Sequence, residues 1–318
     1  EISDGLSVGI LLMNITQILS QELSATAAQI NAAIELLDDG ATVPFIARYR
    51  KEATGGLDDT QLRQLAERLQ YLRELEERKT VVLKSIEEQG KLSDDLRAQI
   101  EAVDNKTALE DLYLPYKPKR RTKAQIAREH GLQPLADVLL AEQPQDVEAA
   151  AQDYLNENVP DVKAALDGAR AILMEQFAED AELIGTLRDK LWNEAEIHAQ
   201  VVEGKETEGE KFSDYFNHRE PVRTMPSHRA LAVLRGRNEG ILNIALKYQP
   251  DDTPITQRSE YEQIIARRFK VSDGHKWLRD TVRLTWRAKI FLSLELEALG
   301  RLKEAADTDA ITVFARNL

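Results

Sequence analysis

Clustered positive charge is the feature of this sequence with the clearest chemistry, because lysine and arginine side chains bind anions, phosphate above all. The first cluster runs from Lys117 to Arg128 and contains no acidic residue. The second lies between Arg267 and Lys289, where only two aspartates interrupt it. The candidate nucleic-acid-binding residues of the two clusters are Lys117, Lys119, Arg120, Arg121, Lys123, Arg128, Arg279, Arg283 and Arg287.

The rest of the chain is acidic. The whole chain has 42 Lys and Arg residues against 55 Asp and Glu residues and a formal net charge of −13, so the part outside the two clusters is more negative still. Such a chain repels a polyanion at long range, so its charge argues against a protein coated with nucleic acid along its length. The two clusters are local exceptions, and we expect weak nucleic-acid binding by this chain alone.

Residues 107–140 are predicted to carry the first cluster on a loop and on the start of a helix. Thr107 and Thr122 each precede a Glu or Gln by three residues, the spacing of a helix-capping box. Beyond Thr122, a helix, a turn at Gly131 and a second helix opened by Pro134 give the outline of a helix-turn-helix. The start of a helix is electropositive, so this arrangement favours an anion.

The helix-turn-helix pattern is incomplete. Ala127 lies four residues before Gly131, as the motif requires, but Asp137 occupies a position where an apolar residue is expected. The alternative is a pair of packed helices joined by a glycine, with no role in binding.

The second cluster is predicted to lie on a long helix over residues 273–300. Arg279, Arg283 and Arg287 recur every four residues and therefore share one side of it. One interpretation is a basic stripe that contacts nucleic acid. The other is a solvated face that pairs with the many acidic residues of the chain.

Several kinds of chemistry are not expected. The phosphate-binding loop spacing, the dinucleotide fingerprint and the zinc-protease motif do not occur, and the five histidines lack ligand spacing. We therefore expect no catalytic residue, no metal and no cofactor. The sequence has no cysteine, which favours the reducing cytoplasm. No run of about 18 apolar residues occurs, so no membrane contact is expected.

The fold is predicted to be mainly α, with a multi-helix N-terminal region containing a helix-turn-helix and at most a small β element. A stripe of leucines predicts one helix over residues 59–89, and weak alternation marks strand candidates at 197–202 and 241–248. Residues 1–12 are interpreted as an upstream remnant, 13–145 as an N-terminal helical region, and 146–318 as a helical central region.

Five ordered segments of the sequence resemble the bacterial Tex family. They are TVPFIARYRKEATGGLDD at 42–59, YLRELEERK at 71–79, LEDLYLPYKPKRRT at 109–122, KFSDYF at 211–216 and PSHRALAVLRGRNEG at 226–240. The resemblance implies a cytoplasmic transcription accessory factor that binds nucleic acid, DNA or RNA. It also implies that this chain is an N-terminal fragment, ending before a ribonuclease H-like domain, helix-hairpin-helix motifs and an OB-fold domain.

Two functions remain open. The leading hypothesis is a non-enzymatic part of a transcription accessory protein that contacts phosphates without reading base sequence. The alternative is a protein–protein interaction scaffold that contacts the transcription machinery. A third basic segment, Arg48 to Lys51, contains one aromatic residue and is too short to be specific by itself.

Overall fold

The computed structural model describes residues 15–118, 121–254 and 256–316, with side chains described through residue 310. These residues form two compact units that divide between Lys117 and Pro118, called here the N-terminal unit and the C-terminal unit. Helices dominate both, and one small sheet lies in the second, so the mainly α prediction is confirmed. The remnant predicted at 1–12 lies outside the described residues, and the domain boundary predicted near residue 145 stays a prediction.

The N-terminal unit is built around one long helix. Its helices are α1 (15–23), α2 (Ala27–Asp38), α3 (Val43–Tyr49), α4 (Asp59–Glu88), α5 (Asp94–Ala102) and α6 (Lys106–Tyr113). The first half of the leucine stripe on α4, including Leu62 and Leu69, packs against α1, α2 and α3. The second half, including Leu75 and Ile86, packs against α5 and α6. Within the described residues, short helices therefore cover this 30-residue helix along its length.

Side chains that satisfy free amides decide where these helices begin. Asp58 and Gln61 form a reciprocal capping box at the start of α4. The box predicted at Thr107 is wrong, because Asn105 caps α6 by accepting a hydrogen bond from the amide of Ala108 at 2.8 Å. An asparagine is as good a cap as a threonine, and here it comes two residues earlier.

The C-terminal unit continues with helices and a sheet. Its elements are α7 (Lys123–Glu129), α8 (Gln133–Glu142), α9 (Val147–Gln152), α10 (Val162–Ala178), α11 (Ala181–Glu194), β1 (Glu196–Val201), β2 (Asn217–Pro221), α12 (Ser227–Asn238), β3 (Leu242–Lys247), α13 (Glu260–Arg268), α14 (Lys276–Thr285) and α15 (Phe291–Arg316).

Helix α10 lies at the centre of this unit and packs against α7, α8, α9 and α14. Gly168 allows the turn between α7 and α8 to approach α10 closely. A Cβ atom on Gly168 would lie 2.3 Å from Cδ1 of Leu132 and 3.2 Å from Cβ of Ala127. Glycine is therefore required where the two elements touch.

The sheet has the strand order β2-β1-β3, and both pairings are antiparallel. Ile197 of β1 is opposite Glu220 of β2 and Leu246 of β3. The two predicted strands are confirmed to within about a residue at each end. Strand β2 was not predicted, because its sequence NHREP is polar throughout and ends in proline.

The long helix predicted over 273–300 extends further and contains one wide turn. Helices α14 and α15 are joined by a π-helical turn, Trp286–Ile290. His275 caps α14 by accepting from the amide of Leu278 at 3.2 Å, and Trp286 is completely buried in the turn.

In the part of the chain that the structure describes, no helix combines the length and apolarity needed to cross a membrane.

Candidate nucleic-acid interface

Two helices, α7 and α8, follow Thr122 and are joined by a turn at Gly131, as the sequence predicted, and their assignment to a helix-turn-helix stays a prediction. The Thr122 side chain accepts from the amide of Gln125 at 3.1 Å and begins α7. Gly131 has a φ of 82°, a left-handed conformation that favours glycine and turns the chain. Pro134 lies in the first turn of α8. Asp137 is exposed, and Leu135, Ala136 and Leu139 fill the interior instead.

Arg128 is held by a buried carboxylate. Its Nη1 donates to Glu175 of α10 at 2.7 Å, and its Nε donates to the side chain of Gln133 at 2.8 Å. Thr122 Oγ1 donates to the other oxygen of the same carboxylate at 2.9 Å. Glu175 thereby fastens both ends of α7 to α10, and Arg128 has a structural role within its own chain.

Among the described cations of α7 and of the residues just before it, Arg121 and Lys123 are exposed and are not held by a buried carboxylate. Arg121 Nε donates to Glu129 at 3.0 Å, but 61% of the Arg121 side chain stays exposed. An exposed pair of this kind is worth about 1 kcal/mol or less, so a phosphate can replace the carboxylate. Within the described ranges, Lys123 forms no ion pair.

The remaining predicted cations of this cluster differ in their setting. Lys119 and Arg120 lie outside the described residues. Lys117 is exposed and belongs to the N-terminal unit. A hydrogen bond from Arg78 holds the pKa of Glu110 below its ordinary value, and the charge of Lys117 adds to that effect.

The predicted basic stripe, which has Arg279 and Arg283 on α14 and Arg287 in the π-helical turn, faces inward more than the sequence predicted. Arg287 Nε lies 3.3 Å from an oxygen of Glu262, a residue of α13 that is only 2% exposed. Arg283 Nη1 lies 3.6 Å from Asp280, and Arg279 Nη1 donates to the backbone oxygen of Asp273 at 3.0 Å. Burial raises the pKa of Glu262, and the charges of Arg287 and Arg283 oppose that rise.

As a consequence, this basic stripe exposes less charge to solvent than the sequence predicted. The side chains of Arg283 and Arg287 are 26% and 29% exposed, so most of their surface is unavailable to a ligand. The predicted alternative was a solvated face that pairs with acidic residues; the pairing is present for Arg283 and Arg287, but both side chains are largely buried. A role for Arg279, Arg283 and Arg287 in nucleic-acid binding stays a prediction.

Sequence reasoning missed the two buried glutamates that hold these arginines. Glu175 lies three residues after the buried Ile172, and Glu262 lies three residues before the buried Ile265. A single carboxylate on an otherwise apolar helix face is the signal that could have revealed each.

Among the described residues, no three His, Asp or Glu side chains are grouped so that they could hold a metal ion.

Two family models match this chain. A Tex-like protein N-terminal domain matches residues 13–87, and a Tex central region-like model matches residues 142–314. The matched residues therefore correspond to the N-terminal domain and the central region of Tex-like proteins. The chain belongs to the Tex family, which confirms the family indicated by its motifs.

Curated relatives agree with this assignment. The chain is 95% identical to the transcriptional accessory protein Tex of Neisseria gonorrhoeae over 96% of its length, and 55% identical to the protein YhgF of Escherichia coli K12 over 95%. It is 27% identical to the S1 RNA-binding domain-containing protein 1 of Pongo abelii over 96% of its length. The chain spans 40% of the first two relatives and 32% of the third.

Proposed function

We propose that this chain is the N-terminal part of a cytoplasmic, non-enzymatic transcription accessory protein and that it contacts the phosphates of DNA or RNA without reading base sequence. The observation that carries the proposal is the exposure of Arg121 and Lys123 at the start of α7, on a chain whose net charge is −13. The sequence neighbours Lys117, Lys119 and Arg120 extend the same basic segment.

The contact is expected to be electrostatic. Lysine and arginine side chains that neutralise backbone phosphates release the counterions bound there. The affinity for nucleic acid therefore falls steeply as the salt concentration rises. With Arg128 held by Glu175, neutralisation of about four or five phosphates predicts a slope of log affinity against log salt near −4 for duplex DNA. Arg128 is expected to contribute little, because its guanidinium group already has two partners.

The test replaces Arg121 and Lys123 with glutamine in the 318-residue chain. We expect weaker binding to duplex DNA and duplex RNA of any sequence, and a salt slope reduced by about 2. Fluorescence anisotropy at several salt concentrations measures both quantities. The matched control replaces Lys163 and Lys303, two exposed lysines outside the basic clusters, and should bind like the unmodified chain. Equal slopes in the two double variants would overturn the proposal.

A second candidate function is a scaffold for a protein of the transcription machinery. The observation that favours it is a row of exposed leucines on α14 and α15, in which Leu284, Leu292 and Leu296 are 41%, 50% and 66% exposed. Apolar surface of this kind often marks protein contacts. Reversing Arg121 and Lys123 to glutamate separates the two functions: loss of duplex binding with retained partner capture supports phosphate contact, and the opposite result supports the scaffold.

A further inference from the structure

Two aromatic side chains of the N-terminal unit lie on the surface of α3. Phe45 and Tyr49 are 44% and 65% exposed, and their ring centroids are 5.4 Å apart. They are four residues apart and therefore share a helix face, while Ile46 is completely buried and anchors the helix. The two rings present an open aromatic surface to solvent.

Three cations that lie beside Tyr49 in the sequence lack carboxylate partners. Arg48, Arg50 and Lys51 are exposed, and within the described residues none of them forms an ion pair. Their environment is unusual for this unit, because every other arginine described between residues 15 and 117 is paired with an acid. Those paired arginines are Arg63, Arg68, Arg73, Arg78 and Arg97. The three free cations are therefore available to an anionic ligand.

The segment that carries Arg50 and Lys51 has an ordered backbone. The amide of the buried Thr54 donates to the oxygen of Arg50 at 3.2 Å, and its hydroxyl donates to the oxygen of Lys51 at 3.2 Å. The amide of Gly56 also donates to the Lys51 oxygen, at 2.9 Å. Gln29 of α2 donates to the Gly55 oxygen at 3.0 Å. A surface held in this way loses little conformational entropy when it binds.

We propose that Phe45, Arg48, Tyr49, Arg50 and Lys51, named here the α3 patch, bind single-stranded nucleic acid. Unpaired bases would stack on the two rings, and the adjacent phosphates would lie against the three cations. A duplex covers the faces of its bases, and an acidic peptide has no base to stack, so each would use only the cations. Stacking and charge do not depend on the sugar, so RNA and DNA strands fit equally. The patch lies in the N-terminal unit and goes beyond the contact proposed for α7.

The first test measures stacking. The 318-residue chain, carrying Arg121→Gln and Lys123→Gln so that α7 contributes little, is titrated with labelled oligouridylate and oligothymidylate of about ten nucleotides. We expect Tyr49→Ala to weaken binding of both strands at least about fivefold, and Phe45→Ala with Tyr49→Ala to weaken it further. Tyr49→Phe keeps the ring and should bind like its parent. Val81→Ala, at an exposed apolar position on α4, is the matched control.

The second test measures charge. Replacing Arg48, Arg50 and Lys51 with glutamine should reduce the salt slope for single strands by about 2, since each phosphate contact contributes about 0.7. Lys91→Gln, at an exposed lysine of the same unit outside the patch, should change it by less than half as much. Melting curves followed by circular dichroism confirm that the variants remain folded.

Three results would overturn the proposal. They are single-strand binding that Tyr49→Ala leaves unchanged, an equal weakening of duplex binding by Tyr49→Ala, and competition by polyglutamate as effective as that by an oligonucleotide. Each would show that stacking of unpaired bases on these two rings does not carry the binding. These outcomes are independent of the α7 contact, because the substitutions on α7 are present in every variant of the first test.

Discussion

At the scale of single residues, acidic side chains decide which cations of this chain can meet a ligand. Glu175 holds Arg128 and Glu262 holds Arg287, so two of the predicted binding residues are paired with buried carboxylates. Arg121 has only an exposed partner, and Lys123 forms no ion pair among the described residues. The sequence shows the cations and the carboxylates, but it does not show which carboxylates lie next to which cations in the folded chain.

Glu220 shows how such a pair makes stability depend on pH. Its carboxylate accepts hydrogen bonds from Arg229, which hold its pKa below the ordinary value of 4.5, and His218 adds to that effect. The stabilisation is complete above the ordinary pKa and is lost as the pH falls through the lowered pKa of the folded state. We expect Glu220→Gln to lower the free energy of unfolding by about 1–2 kcal/mol near pH 7, because a charged hydrogen bond is lost from a partly exposed arginine.

Urea unfolding at a series of pH values checks this prediction. The difference between Glu220→Gln and the unmodified chain should shrink as the pH falls below 4.5. Glu239→Gln, at a more exposed carboxylate that pairs with Lys211 and Arg235, is the control and should change stability less than Glu220→Gln does. A gap for Glu220→Gln that stays constant into strong acid would contradict the role of its ionised carboxylate.

At the scale of elements, the contact between α10 and the α7–α8 turn depends on Gly168. Gly168→Ala places a methyl group 2.3 Å from Leu132 Cδ1, and we expect a destabilisation of about 1–3 kcal/mol in spite of the better helix propensity of alanine. Gly185→Ala on α11 has no neighbour within 4 Å of the new carbon and should stabilise the chain by about 0.5–1 kcal/mol. Thermal unfolding compares the two, and a change of the same sign would refute the packing argument.

Local patterns predicted the elements well where one face is apolar. The leucine stripe gave α4 to within a residue, and the turn at Gly131 followed from the glycine and the proline beyond it. Strand β2 lacks an alternating apolar pattern. It is a strand because it pairs with β1, and not because it buries apolar residues of its own. The inward orientation of the α14 stripe depends on Glu262, which lies on another helix, and local spacing cannot reveal such a contact.

At the scale of the whole molecule, separate hydrophobic cores underlie the two units. Leu65 is completely buried in the N-terminal unit, and Leu187 is completely buried in the C-terminal unit. Residues of one core do not appear in the core of the other among those described. The division of the chain into two units therefore coincides with a separation between hydrophobic cores.

Truncating one core should loosen its own unit first. We expect Leu65→Ala to cost about 2–5 kcal/mol and to lower the protection of α4 amides in native-state hydrogen exchange, while α10 amides keep most of theirs. Leu187→Ala is the reciprocal variant and should affect α10 more than α4. A uniform loss of protection along the chain in both variants would show that the units open as one.

The wide turn at Trp286–Ile290 is a place where the chain can lose one residue without disturbing the helices on either side. A π-helical turn contains one residue more than the α-helical turn it replaces. Removing a single exposed residue there, such as Ala288, would let the ladder close as an ordinary α-helix while the flanking segments keep their orientation. A one-residue deletion, which elsewhere in a helix rotates everything beyond it, can be absorbed at this point.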